Sequence, residues 1–390
     1  MQRRERPNSK SSYHVRGAAP PRVRVNPRRR AQLALRRIIA LAVALAILVL
    51  IIYVFTLIPR GGDDALRLGF HPGDPIQPFG KSLLFLSDGV LNCVGANGGV
   101  RWQFPLGISS GFNASQSGIV AWSGEQLYIL NASGEAVYND RMADTVQFAR
   151  IGAAYIATLI GESSGQIVRV TDHAGNLIEE IDDFSSITVI DCGFFDTQEL
   201  RLWTLGIDLM GSTVTTVLNT YDPRSHSATG NAALSDQLIY KVYTQNKWLM
   251  LVSNVSVAAY DYNCIPVSSQ APSIIYGWQF ARTRVIQNET LTLLTKPPAA
   301  DGSRSMRSLR LIGRGADQIL RLPAPCFDAL LGGKAVYGFS ANMVYSMRYG
   351  QTSFASHELP IAIDQVLDIL DDDVAVLAYG ADVFLYKLPD

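Results

Sequence analysis

One apolar strand recurs eight times along this 390-residue chain. It reads SLLFLSDG from Ser82, GIVAWSG from Gly118, AAYIATLIG from Ala153 and LRLWTLG from Leu200. It continues as KWLMLVSN from Lys247, TLTLLTK from Thr290, KAVYGFS from Lys334 and DVAVLAYG from Asp373. Taking Leu83, Ile119, Tyr155, Arg201, Trp248, Leu291, Ala335 and Val374 as equivalent, the spacings are 36, 36, 46, 47, 43, 44 and 39 residues. A unit of this length cannot bury its own sheet, so neighbouring units must stack.

From residue 65 onward no long window carries helical periodicity. Short runs of Val, Ile, Leu, Tyr and Phe alternate with Gly, Asn, Asp and Ser, which is the strand-and-turn pattern of an all-β domain. A second strand follows most copies, as in VLNCVGANG, and a third often follows, as in GVRWQFPLG. A period of about 40 residues with four strands fits a propeller blade. The expectation is an all-β, eight-bladed β-propeller over residues 65–390. Seven blades is the alternative if one copy is irregular, and the register is weakest at residues 191–201 and 297–308.

The last copy offers strands at 365–370, 374–379 and 383–388, one short of a blade. Residues 65–70 (ALRLGF) precede the first complete blade without a partner. Pairing them as the outer strand of the last blade would close the ring and remove an exposed edge.

Ahead of the repeats, the run from Ile38 to Ile58 (IIALAVALAILVLIIYVFTLI) holds no charge over 21 residues. At about 1.5 Å per residue a helix of that length crosses the roughly 30 Å hydrocarbon core of a bilayer. Residues 1–37 carry twelve Lys and Arg against Glu5, a net +11, and the remainder nets −11. The basic flank keeps the N-terminus cytoplasmic and sends the C-terminal domain outside. A signal peptide has a shorter apolar region and a small-residue cleavage site; here the run leaves through Thr56-Leu57-Ile58-Pro59-Arg60. The expected organisation is a basic disordered tail (1–37), a transmembrane helix (38–58) that takes the lipid bilayer as partner, a linker (59–64) and an extracytoplasmic propeller (65–390). The tail lacks the interleaved aromatic residues of a nucleic-acid-binding arm, and no nucleic-acid partner is expected.

Two repeats carry a more specific signature. Residues 91–104 read LNCVGANGGVRWQF and residues 127–138 read LYILNASGEAVY. Each has an apolar strand, a turn with Gly, and an aromatic four residues on: Gly98 with Trp102, and Gly134 with Tyr138. They resemble the quinoprotein-like (PQQ-like) propeller repeat, in which the aromatic docks between neighbouring blades. The third repeat has Gly175 but Glu179 at the aromatic position. The resemblance thus implies a structural docking role for Gly98, Trp102, Gly134 and Tyr138. The whole layout also resembles a group of anchored propeller proteins from Gram-positive bacteria, a likeness that brings no activity with it. The quinone-dependent dehydrogenases of the wider family are not implied, because the chain has neither a vicinal cysteine pair nor a clustered set of metal-ligating carboxylates.

The remaining chemistry-bearing residues read as structural. Gly161-Glu162-Ser163-Ser164-Gly165 matches the nucleophile-elbow pattern, but an elbow needs a helix after it and this one joins two strands. His14, His71, His173, His226 and His357 lie far apart with no metal-ligand spacing. Asp182-Asp183 and Asp371-Asp372-Asp373 lack the alternation of a calcium loop and read as solvated turn carboxylates. Cys93, Cys192, Cys264 and Cys326 form no CxxC pair and read as small buried side chains. No catalytic, metal or cofactor residue is assigned, and no cofactor is expected. The function read from this is a non-catalytic scaffold that binds an envelope protein or polymer. The rivals are an enzyme with a loop-built site at the channel mouth, recognisable by acids, His or Arg converging there with perturbed pKa values, and a transmembrane sensor.

Overall fold

The structure is a computed structural model that describes residues 65–390, apart from residues 163–164, 185, 196–198, 211–212, 314, 372 and 390. The expected tail, transmembrane helix and linker lie outside the described residues. Among the described residues, no helix is long and apolar enough to cross a membrane.

The described residues form eight four-stranded antiparallel sheets. Blades 1 to 7 take their strands in chain order from residues 76–105, 110–141, 146–181, 187–235, 239–274, 279–326 and 328–358. Blade 8 takes three strands from the end of the chain (Gln365–Ile369, Val374–Tyr379 and Asp382–Lys387) and its outer strand, Leu66–Leu68, from the beginning. The register is Leu66 with Leu385, Arg67 with Phe384 and Leu68 with Val383. Seven blades are therefore excluded, and residues 65–70 supply the missing strand. The first strands of blades 6, 7, 8, 1, 2, 3 and 4 pack in succession, so blade 8 abuts blade 1 and the ring is closed.

The recurring apolar strand is the second strand of every blade. It is flanked by two strands and sandwiched between two blades, which is why it reads as a continuous apolar run. Ser82–Ser87 and Val374–Tyr379 are buried at five of six positions. Outer strands such as Val100–Pro105 are mostly exposed and correspondingly polar. The first strands of blades 3, 4, 5, 6 and 8 each carry a bulge near their start. A bulge bends a strand and re-aims its side chains. Phe148, Asp191, Lys241, Arg282 and Asp368 occupy the equivalent position after it.

The core consists of eight separate apolar clusters, one at each junction between blades. Seven junctions hold nine to thirteen buried apolar residues. The junction of blades 5 and 6 holds only Val252, Val257, Ile275 and Leu294. There a cleft of about 420 Å³ opens between Tyr243, Met250, Val257 and Ile312. Blade 5 also has the shortest outer strand, Ser273–Ile274.

Candidate functional site

The turn glycines and aromatics of the repeat signature meet across blades rather than within a repeat. Trp102 of blade 1 lies on Gly134 of blade 2, and its indole N–H donates to the carbonyl of Ala132 (3.0 Å). A Cβ on Gly134 would fall 2.4 Å from Trp102 Cδ2. Tyr138 of blade 2 lies in the same way on Gly175 of blade 3. Gly98 receives Leu66 of the closing strand. All three glycines have φ between +72° and +83°, a region that disfavours any side chain. Asn131 and Asp172 shape two of these turns by accepting backbone N–H bonds from the residues two and four ahead. At the next junction Glu179 replaces the aromatic and pairs with His226 of blade 4. The series thus passes from stacking on a glycine to a carboxylate–imidazole contact where the sequence signature decays.

The central channel carries charge on its blade 6 to 8 side. Arg282 and Arg284 come from the first strand of blade 6, Asp328 opens blade 7, and Asp368 and Asp371 belong to blade 8. Arg282 donates to the carbonyl of Val366 (2.9 Å) and stands 3.9 Å from the Asp328 carboxylate. Arg284 donates to the carbonyls of Leu331 and Leu370 (both 3.3 Å) and to Asp371 (3.4 Å). The two arginines therefore tie three blades together. Burial pushes the carboxyls of Asp328 and Asp368 up, and Arg282 pulls each partway back. On the far side, Arg150 of blade 3 pairs with Asp191 of blade 4 (2.8 Å).

Other singled-out residues fall elsewhere. Gly161 and Gly165 close a hairpin between two strands of blade 3; Ser163 and Ser164 lie outside the described residues. His173 and His226 sit in turns of different blades, and His357 meets Ser346 on the outer strands of blade 7 (3.2 Å). No group of three or more His, Cys, Asp or Glu suited to a metal ion occurs among the described residues. Asp373 corrects the expectation of a solvated carboxylate: it is buried, with φ +55°, and accepts the backbone N–H of Gly333 in blade 7. All four cysteines are free and buried.

Strands alternate in direction. The connections between blades and the turns between second and third strands therefore emerge at one end of the ring. On blades 4 to 6 that end exposes large apolar side chains: Leu209, Met210 and Val214, then Leu238, then Tyr276. Met210 and Tyr276 keep 84% and 71% of their surface, and Ile108 in the connection of blades 1 and 2 keeps 91% at the same end.

No family model and no curated protein matches the chain. Solved structures match at the level of fold. The C-terminal WD40 domain of Sif2 aligns with a TM-score of 0.55 at 11% identity, over 83% of this chain and 99% of that one. The computationally designed protein Ika8 aligns with a TM-score of 0.53 at 10% identity, over 84% and 100%. BamB from Moraxella catarrhalis aligns with a TM-score of 0.49 at 12% identity, over 83% and 96%. Together with the eight sheets, the first two define the class: the protein is an eight-bladed β-propeller.

Proposed function

We propose that the protein is a non-catalytic scaffold that binds an envelope protein through the loop-bearing end of its propeller. The observation that carries this reading is the set of exposed apolar side chains on blades 4 to 6, centred on Met210 and Tyr276. A propeller presents loops from every blade on one rigid frame, and apolar patches at such an end serve recognition. In this reading residues 38–58 anchor the chain in the plasma membrane, the basic tail stays cytoplasmic, and the propeller is extracytoplasmic at a bacterial surface. Gly98, Trp102, Gly134 and Tyr138 serve blade docking of the quinoprotein-like type.

Crosslinking on intact cells followed by co-purification tests it. The parent should capture a partner that Met210→Asp and Tyr276→Ser lose without any change in melting temperature. Equal capture by parent and variants defeats the proposed surface. Protease added to intact cells should cleave after about residue 61 and spare the tail; the reverse result defeats the orientation.

The enzyme reading is favoured by one observation. Asp328 and Asp368, two half-buried carboxyls with raised pKa values, share Arg282 at the channel, and such groups cluster at catalytic sites. The scaffold reading is preferred because Arg282 and Arg284 are tied to backbone carbonyls of blades 7 and 8, the pattern of a structural clasp.

A further inference from the structure

We propose that the cavity where blade 6 meets blade 7 binds an organic carboxylate. The cavity measures about 180 Å³. It opens beside the loop that joins the second and third strands of blade 6, at the end of the ring where the first strands begin.

Three cations line it: Arg282 from the first strand, and Lys296 and Arg304 from the two ends of that loop. One acid lines it, Asp328. Asp301 lies in the same loop but outside the lining, with its carboxylate accepting from Ser303 N–H (2.8 Å). Residues 38–390 net −11, so an excess of two positive charges in one small cavity runs against the character of the domain.

The donors are not used up internally. Arg282 spends one bond on Val366, and its buried Nε has no hydrogen-bond partner among the described residues. Lys296 lies 4.0 Å over the Trp278 ring and donates to the carbonyl of Gly277 (3.2 Å), which uses one of three N–H groups. Arg304 is exposed. Guanidinium forks match the two oxygens of a carboxylate.

Two features favour an organic carboxylate over phosphate. Asp328 sits inside the cavity, and a dianion beside it would be repelled more than a monoanion. Phe280, Met306 and Phe327 supply an apolar wall that only an organic body would cover. A free small acid and the terminal carboxylate of a polypeptide share this chemistry.

Titration calorimetry of the full-length chain in detergent with sodium benzoate tests the site. The parent should give a saturable heat. Arg304→Gln and Lys296→Gln should each weaken binding about tenfold or more, the worth of one charged hydrogen bond, with melting temperature unchanged. No saturable heat at millimolar benzoate, or variants that bind like the parent, overturns the proposal. Inorganic phosphate that binds as tightly as benzoate overturns the organic assignment. If N-acetylphenylalanine binds more tightly than benzoate, the carboxylate belongs to a chain terminus; if benzoate is the tighter, it belongs to a free acid.

Discussion

Trp102 stacks on Gly134 of the next blade and is held there by a hydrogen bond to Ala132. Because the ring is half-buried rather than enclosed, Trp102→Ala should cost about 2 kcal/mol, below the 3–5 of a fully buried aromatic. Trp102→Phe keeps the stacking and loses the indole bond, at about 1 kcal/mol. Gly134→Ala should cost at least as much as Trp102→Ala, since a left-handed alanine costs about 1–2 kcal/mol before the clash with the indole is counted. Denaturant unfolding of the three variants ranks them. An unchanged midpoint for Trp102→Ala would reject a docking role.

Removing residues 65–70 should weaken the ring more than its length suggests. The strand covers the edge of Asp382–Lys387, Leu68 and Phe70 fill the junction of blades 8 and 1, and Phe70 stacks on Phe85 (4.3 Å). A lower melting temperature with aggregation on size-exclusion chromatography is expected. A variant that melts like the parent would show the strand to be dispensable.

The channel carboxyls set an unusual pH trend. Asp328 and Asp368 have pKa values raised above 3.8 in the fold, so the folded state holds their protons more tightly than the unfolded chain. Stability from these groups is therefore greatest below about pH 3.8 and falls as pH rises through the raised values. Asp328→Asn and Asp368→Asn should each flatten that fall relative to the parent. Urea unfolding across pH 3.5 to about 7 measures it, and parallel curves for parent and variants would contradict the assignment.

The thiols should be silent in the native protein. Burial pushes all four up, Cys326 to about 12, and the thiolate is the reactive form. A colorimetric thiol reagent at pH 8 should find none in the folded chain and four after denaturation. Rapid native labelling of any one would contradict its burial.

Hydrogen exchange should single out one junction. The thin cluster between blades 5 and 6, the cleft beside it and the two-residue outer strand Ser273–Ile274 leave blade 5 with the least to lose on opening. Its amides should exchange ahead of the equivalent strands of blades 1, 2 and 7. Uniform protection around the ring would count against this.

Fold and site were unequally legible in the sequence. The second strand of each blade is covered on every side, so its apolar run is nearly free of interruption and repeats visibly from Leu83 to Val374. The closing strand was legible by subtraction, because blade 8 lacked one. The channel residues left no such trace. Arg282, Asp328 and Asp368 lie 46 and 40 residues apart, one per blade, and only ring closure brings them together. Contiguous motifs are easier to see in the sequence, but Gly161–Gly165 among them closes a hairpin between two strands of blade 3. Asp373 reads in the sequence as a turn acid because its neighbours are Asp371 and Asp372, whereas its contact with Gly333 comes from another blade. The glycine signature pairs residues within one repeat, whereas Trp102 lies on Gly134 and Tyr138 on Gly175 of the following blade, a relation that spacing within a repeat does not express.

The strand Leu66–Leu68 leaves the ribosome before any blade exists, and its partner Asp382–Lys387 follows only after some three hundred residues, as the 315-residue separation of Arg67 and Asp382 records. Throughout that interval seven blades can assemble as an open arc while both its ends stay unsealed. The ring therefore cannot close until its last strand, Asp382–Lys387, has been made. Anything that holds residues 66–68 away from the last blade, whether a chaperone, a membrane or a neighbouring copy, would keep the arc ajar.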